Sequence, residues 1–145
     1  MLAVCAATVV ATYALIFPLD WPDVGRQALA ALGGFSNVHS WRVLGDYWGQ
    51  TAEQSPFLHT WSLSVEEQFY LLYPLFLLVM HRWRPRLIPL SIASLLVVSL
   101  AAYAYGRTAH PLATFYLLPT RAWELLAGCL LAAVDGRDRR ASAGR

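Results

Sequence analysis

The chain has 145 residues, of which 57% are apolar and only 14% charged, with six Trp, seven Tyr and six Phe. A soluble domain carries about 25% charged residues; this composition, with a mean hydropathy of +0.44, excludes a disordered chain, a disulfide scaffold and a nucleic-acid module, which needs a concentrated basic face. A polytopic, all-α membrane bundle is the class that fits, and the positions of the charges say more than their sum of +2.

A spanning helix needs about 20 mostly apolar residues. Four stretches qualify. Residues 1–19 carry no charge, residues 57–80 carry only Glu66 and Glu67 near their start, residues 87–106 are uncharged, and residues 111–134 carry only Arg121 and Glu124. The first stretch does not read as a signal peptide, because no Lys or Arg precedes its apolar run. It opens like a span already under way, and Met1 is expected not to be the start of the ancestral protein. In the connecting segment 18–56, VGRQALAALGGF (24–35) predicts a short interfacial helix that stops at Gly33-Gly34. Trp41, Tyr47 and Trp48 then suit the headgroup level.

The loops orient the spans. HRWRPR (81–86) and DGRDRR (135–140) each hold three Arg, whereas 18–56 sets Asp20, Asp23, Asp46 and Glu53 against Arg26 and Arg42. The positive-inside rule puts the basic loops in the cytoplasm, 18–56 and 106–111 outside, and both termini inside. All 11 basic residues are Arg. Cys5 and Cys129 lie in apolar runs and read as small hydrophobes. The four His are scattered without zinc-ligand spacing, and no metal is expected. There is no Gly-rich phosphate loop and no G-x-S-x-G.

The informative stretch is FLHTWSLSVEEQFYLLYP (57–74). Ser64-Val65-Glu66-Glu67 fits a capping box, with Ser64 at the N-cap and Glu67 at the third helical position, and predicts a helix starting at Ser64. Glu66 shares a helical face with Phe69, Tyr70 and Tyr73, at spacings of three, four and seven. It lies roughly 21 Å from Met80 at 1.5 Å per residue, hence in the outer half of the membrane, where an ionisable group is costly and marks a candidate site. Arg121 falls at a similar depth, roughly 20 Å from Val134. Two partners are open to it: Glu66 across the bundle, or Glu124 three residues on. His59 precedes the carboxylates closely enough for acid–base work, or is a hydrogen-bonded loop residue. Gln68 is placed to orient either group. His39, His81 and His110 lack such company.

HTWSLSVEEQFYLLYP (59–74) resembles the signature of the acyltransferase-3 family of bacterial membrane acyltransferases, which contains O-antigen acetylases. Phe35-Ser36-Asn37, Asp46-Tyr47-Trp48 and Ser55-Pro56-Phe57-Leu58-His59 are similar to the stretch leading into it. Phe115-Tyr116, Thr120-Arg121-Ala122-Trp123-Glu124-Leu125 and Gly128 resemble a later span. The resemblance implies an inner-membrane enzyme of about ten spans. Such enzymes take an acyl group, often acetyl from cytosolic acyl-CoA, to a hydroxyl of a cell-envelope or exported carbohydrate such as a polysaccharide or lipopolysaccharide. The implied partners are membrane lipid, acyl-CoA, the carbohydrate acceptor, and N- and C-terminal spans missing from this chain; no bound cofactor and no nucleic acid are expected. The family begins with a basic segment leading to a His in its first span, and residues 1–19 hold no His. The chain is thus expected to be a middle portion, from about the third or fourth span onward.

Acyl transfer to a hydroxyl needs a base, a group that stabilises the oxyanion, and an aligned carrier. Glu66 and His59 are the candidates for proton transfer, working with the first-span His. Arg121 is the candidate for charge stabilisation or for pinning the carboxylate. Trp61, Gln68, Tyr70 and Glu124 are the candidates for substrate contact. Arg82, Arg84 and Arg86 suit the phosphates of CoA, or are a plain topology signal. Two other functions stay open: an inert inserted product or interaction module, and a transporter component, since intramembrane Glu and Arg also mark substrate pathways. No internal repeat of the kind that transporters use is visible.

Overall fold

The computed structural model describes residues 6–11, 21–43 and 56–143, with side chains for 6–11, 22–43 and 56–135. Among the described residues every regular element is helical, as the composition predicts. Of the expected first span only the helical stretch 6–11 is described. Cys5, Tyr47 and Trp48 lie outside the described residues.

The chain divides into two compact units, Met1–Gln68 and Phe69–Arg145. In the first unit α1 (Trp21–Leu32) is followed by α2 (Ser36–Val43). Gly33-Gly34 stops α1. Gly34 has φ +72°, its N–H bonds to the carbonyl of Ala31 at 3.1 Å, and the Phe35 N–H bonds to that of Ala30 at 2.8 Å. This is a Schellman close, in which a left-handed residue turns the chain back on the last carbonyls. Val24 and Ala31, seven residues apart on α1, pack on Phe57 to form an apolar cluster. The buried side chains of α2 are all polar: Ser36, Asn37 and Ser40.

A turn over residues 56–59 leads into α3 (Thr60–Trp83), which starts in the first unit and ends in the second. The second unit continues with a 3-10 turn (Pro85–Leu87), α4 (Ile88–Ala109), α5 (Pro111–Tyr116) and α6 (Leu118–Ala143). Phe69, Ile92 and Leu126 form its core. Among the described residues three helical segments are long and apolar enough to cross a membrane: Thr60–Trp83, Pro85–Ala109 and Pro111–Asp135.

Two features depart from the sequence expectation. The backbone of 135–140, read as a basic loop, continues α6 to Ala143. The expected span 111–134 is broken at Leu117, which is extended at φ −94°, ψ 142°. Pro119 explains the break, since it has no N–H for the carbonyl of Phe115 and its ring crowds that carbonyl. The freed groups find side chains. The Thr120 hydroxyl lies 2.8 Å from the Thr114 carbonyl and 2.9 Å from that of Leu117. From α4, the buried Ser99 hydroxyl donates to the Pro119 carbonyl at 2.7 Å and accepts from the Trp123 N–H at 2.9 Å. These two groups are four residues apart and pair with each other in a regular helix, so Ser99 is a side chain inserted into the ladder.

Close approach of α4 and α5 depends on Gly106. A Cβ built there overlaps the Thr114 hydroxyl, which is itself buried and bonded to the His110 carbonyl at 2.9 Å. Thr114 is β-branched and has little rotamer freedom. Gly106→Ala is therefore expected to destabilise the second unit by about 1–3 kcal/mol, seen as a lower midpoint of thermal unfolding in detergent, while Gly128→Ala, which meets open space inside a helix, holds or raises the midpoint.

Candidate functional site

The segment 59–74 is attached to α2 through a chain of buried polar groups. Thr60 opens α3 and donates its hydroxyl proton to the Phe57 carbonyl at 2.7 Å. The Ser36 hydroxyl lies 2.7 Å from Thr60 Oγ1. Since the Thr60 proton is already committed, Ser36 is the donor. The Ser36 N–H donates to Ser64 Oγ at 3.2 Å. Gln68 Nε2 donates to the Gly34 carbonyl at 2.7 Å and to Asn37 Oδ1 at 2.8 Å. Ser36, Asn37, Thr60 and Ser64 are all buried, which is tolerable only because they are hydrogen-bonded.

This geometry corrects the capping box. The helix starts at Thr60, so Ser64 lies one turn inside it. Its hydroxyl accepts the first N–H of α2, so Ser64 caps a helix other than its own. Glu67 is thereby relieved of the cap role; its carboxylate lies half-buried beside Gly34, with Oε2 3.4 Å from where a Cβ on that residue would stand. Among the described residues neither Glu66 nor Glu67 has an ion-pair or hydrogen-bond partner. Glu66 is half-buried, His59 is exposed in the turn before α3, and Trp61 is buried. Tyr70 is exposed. Both N–H groups of Gln68 are spent on the protein.

Of the two partners expected for Arg121, the structure joins Glu124: the guanidinium lies 3.1 Å from both carboxylate oxygens. Glu66 belongs to the other compact unit. Arg121 also makes a long 3.5 Å contact to the Phe115 carbonyl that Pro119 leaves unmatched, and stands 5.7 Å from the centre of the Phe115 ring. It thus braces the helix break. The basic residues Arg82, in the last turn of α3, and Arg84 and Arg86, between α3 and α4, are exposed. Among the described residues no three His, Cys, Asp or Glu side chains group as metal ligands.

Ser36, Asn37 and Thr60 were not singled out by the sequence as site residues. The signal for them is Ser36-Asn37-x-x-Ser40 on a short helix with no apolar face: polar side chains at helical spacing with nothing apolar to bury are themselves the buried face.

Taken together, these features define a helical membrane protein in which a pair of carboxylates, without hydrogen-bond or ion-pair partners among the described residues, stands on a span pinned by buried hydroxyls and amides. Residues 2–144 match the family described as an acyltransferase domain, and the chain belongs to that acyltransferase-3 family. It is similar to the O-acetyltransferase OatA of Staphylococcus aureus, at 39% identity over 128 residues, covering 86% of this chain and 21% of that protein. The peptidoglycan O-acetyltransferase OatA of Listeria monocytogenes is 35% identical over 111 residues, covering 72% and 18%. The putative peptidoglycan O-acetyltransferase YrhL of Bacillus subtilis is 38% identical over 100 residues, covering 66% and 16%. The chain spans about a fifth of the length of the curated relatives it matches. No solved structure matches it.

The polar chain and its surroundings can be tested in two ways. Ser64→Ala strands the buried Ser36 N–H and is expected to cost about 1–3 kcal/mol, read as a lower unfolding midpoint, and Ser64→Thr recovers part of it. On α2, burial holds the pKa of His39 below its ordinary 6.5, opposed by Asp23 and assisted by Arg26. The unfolded chain then binds the proton more readily than the folded one, so stability is full above pH 6.5 and falls as the pH drops through the lowered folded value. His39→Gln is expected to flatten that decline in unfolding midpoints taken across the pH range.

Proposed function

We propose that the chain is the acyl-transferring membrane part of an O-acetyltransferase, moving an acetyl group to a hydroxyl of cell-envelope carbohydrate, with peptidoglycan the first acceptor to test. Membership of the acyltransferase family and the names of the relatives support the reaction class. The observation that carries the site is the carboxylate pair Glu66 and Glu67, without a partner among the described residues, on a helix whose buried Thr60 and Ser64 are hydrogen-bonded.

In this reading the acceptor hydroxyl gives its proton to Glu66, assisted by His59 in the exposed turn. The hydroxyl oxygen bonds to the acyl carbon, and the bond from that carbon to the carrier breaks. Arg121 stabilises the negative charge that develops on the acyl oxygen, and Glu124 holds Arg121. Trp61 and Tyr70 line the acceptor's approach. The donor is an acyl-CoA on the cytosolic side, where Arg82, Arg84 and Arg86 meet its phosphates, and the acceptor is on the other face. The chain then lies in the bacterial cytoplasmic membrane with both termini inside.

The test is acetate released by mild alkali from purified peptidoglycan, in a host lacking its own O-acetyltransferase and expressing the full open reading frame. Transfer above background is expected. Glu66→Gln and Arg121→Ala are expected to reduce it to background at unchanged amounts of inserted protein. Normal turnover by Glu66→Gln sets Glu66 down as a packing residue and overturns the mechanism.

A further inference from the structure

Thr60, Ser64 and Gln68 follow one another at four-residue spacing and form one stripe along α3. Thr60 and Ser64 bond to Ser36, and Gln68 bonds to Gly34 and Asn37. The stripe is held against one short stretch, 34–37. Gln68 is its most specific member. Its two amide protons go in two directions: to a carbonyl aimed by a left-handed residue, and to the side chain of an asparagine with no exposed surface. Neither contact survives a rotation of the helix about its axis. Glu66 is two residues from both Ser64 and Gln68, hence about 200° around the helix from each. Fixing the stripe on 34–37 therefore fixes Glu66 on the opposite side.

We infer that Gln68, through Gly34 and Asn37, is a positioning residue for Glu66: the clamp sets the rotation of α3 and with it the direction in which the Glu66 carboxylate is presented. The chemistry that Glu66 performs rests on the proposed O-acetyltransferase reading; the clamp itself rests on the hydrogen bonds. Gln68→Leu keeps the bulk of the side chain and removes both donors. Asn37→Ala removes one acceptor.

The experiment reads rotation and turnover separately. In a chain with Cys5 and Cys129 replaced by Ser, Glu66→Cys is converted in membranes to a mixed disulfide by a small thiosulfonate reagent, with Ser62→Cys, at an exposed position, as control. Adding Gln68→Leu is expected to change the labelling rate at position 66 severalfold while the control is altered far less. In the chain that retains Glu66, Gln68→Leu is expected to lower kcat for acetyl transfer by about 100-fold, as misplacement of a reacting group does, with the KM for acceptor little altered and the pH profile displaced. Asn37→Gln combined with Gln68→Asn moves one methylene across the contact and is expected to recover part of the rate. An unchanged labelling rate at position 66 when Gln68→Leu is added overturns the clamp. So does a loss of turnover that only tracks a loss of inserted protein, with the pH profile in place. A wild-type chain that inserts but transfers no acetate sinks the proposed function instead, and the labelling rates then decide the clamp alone.

Discussion

The first unit is organised around a directed chain of hydrogen bonds. The hydroxyl of Thr60 is committed to the Phe57 carbonyl, which forces Ser36 to donate to Thr60, while the backbone N–H of Ser36 turns to Ser64. Each group has one proton to give, so the chain can be satisfied in one sense only. In an apolar setting a broken member leaves a buried donor or acceptor at a cost of about 1–3 kcal/mol. The network therefore specifies a rotation and a register of α3 more sharply than apolar packing does. Val24, Ala31 and Phe57 supply a cluster beneath it, but any large apolar side chain could slide over such a surface.

The second unit solves a different problem with the same means. Pro119 breaks the fourth expected span and frees backbone carbonyls where water is scarce, a situation a membrane protein tolerates only when side chains take over. Thr120, Arg121 and Ser99 do so. Ser99 also ties α4 to α6, so one hydroxyl both repairs a helix and joins two. Gly106 then lets α4 meet α5 closely enough for the Thr114 hydroxyl to sit where a methyl group would stand, the role small residues play between membrane helices.

What could be read from the amino acids is what depends on local chain properties. The long apolar helices follow from run length, and the stop at Gly33-Gly34 from the conformational freedom of glycine. The Ser64-x-x-Glu67 pattern misled because a capping box and an inward-facing serine look alike in sequence: both place a hydroxyl three residues before a carboxylate. What separates them is whether the helix extends upstream and what meets the hydroxyl, and Ser36 is 28 residues away. The break at Leu117 had a local signal, Pro119, which the uniform hydropathy of 111–134 hid. The pairing of Asn37 with Gln68 had none, since it joins elements 31 residues apart.

Apolar surface cannot distinguish one span from another when the surrounding solvent is lipid, because lipid tails are as apolar as leucine. Leu71, Leu72, Leu75, Leu78 and Val79 on α3 and Leu90, Val97 and Val98 on α4 are accordingly left exposed. Specificity then falls to the few polar side chains, and these sort by what they hold. Ser36, Thr60, Ser64, Gln68, Ser99 and Thr120 are used up by the protein. Arg121 and Glu124 hold each other. Glu66 and Glu67 hold nothing among the described residues. An ionisable side chain half-buried on a membrane span marks a candidate site. Glu66 and Glu67 both stand between Ser64 and Gln68, whose hydrogen bonds to residues 34–37 hold this turn of the helix, and in the proposed function Glu66 is the one that takes the proton.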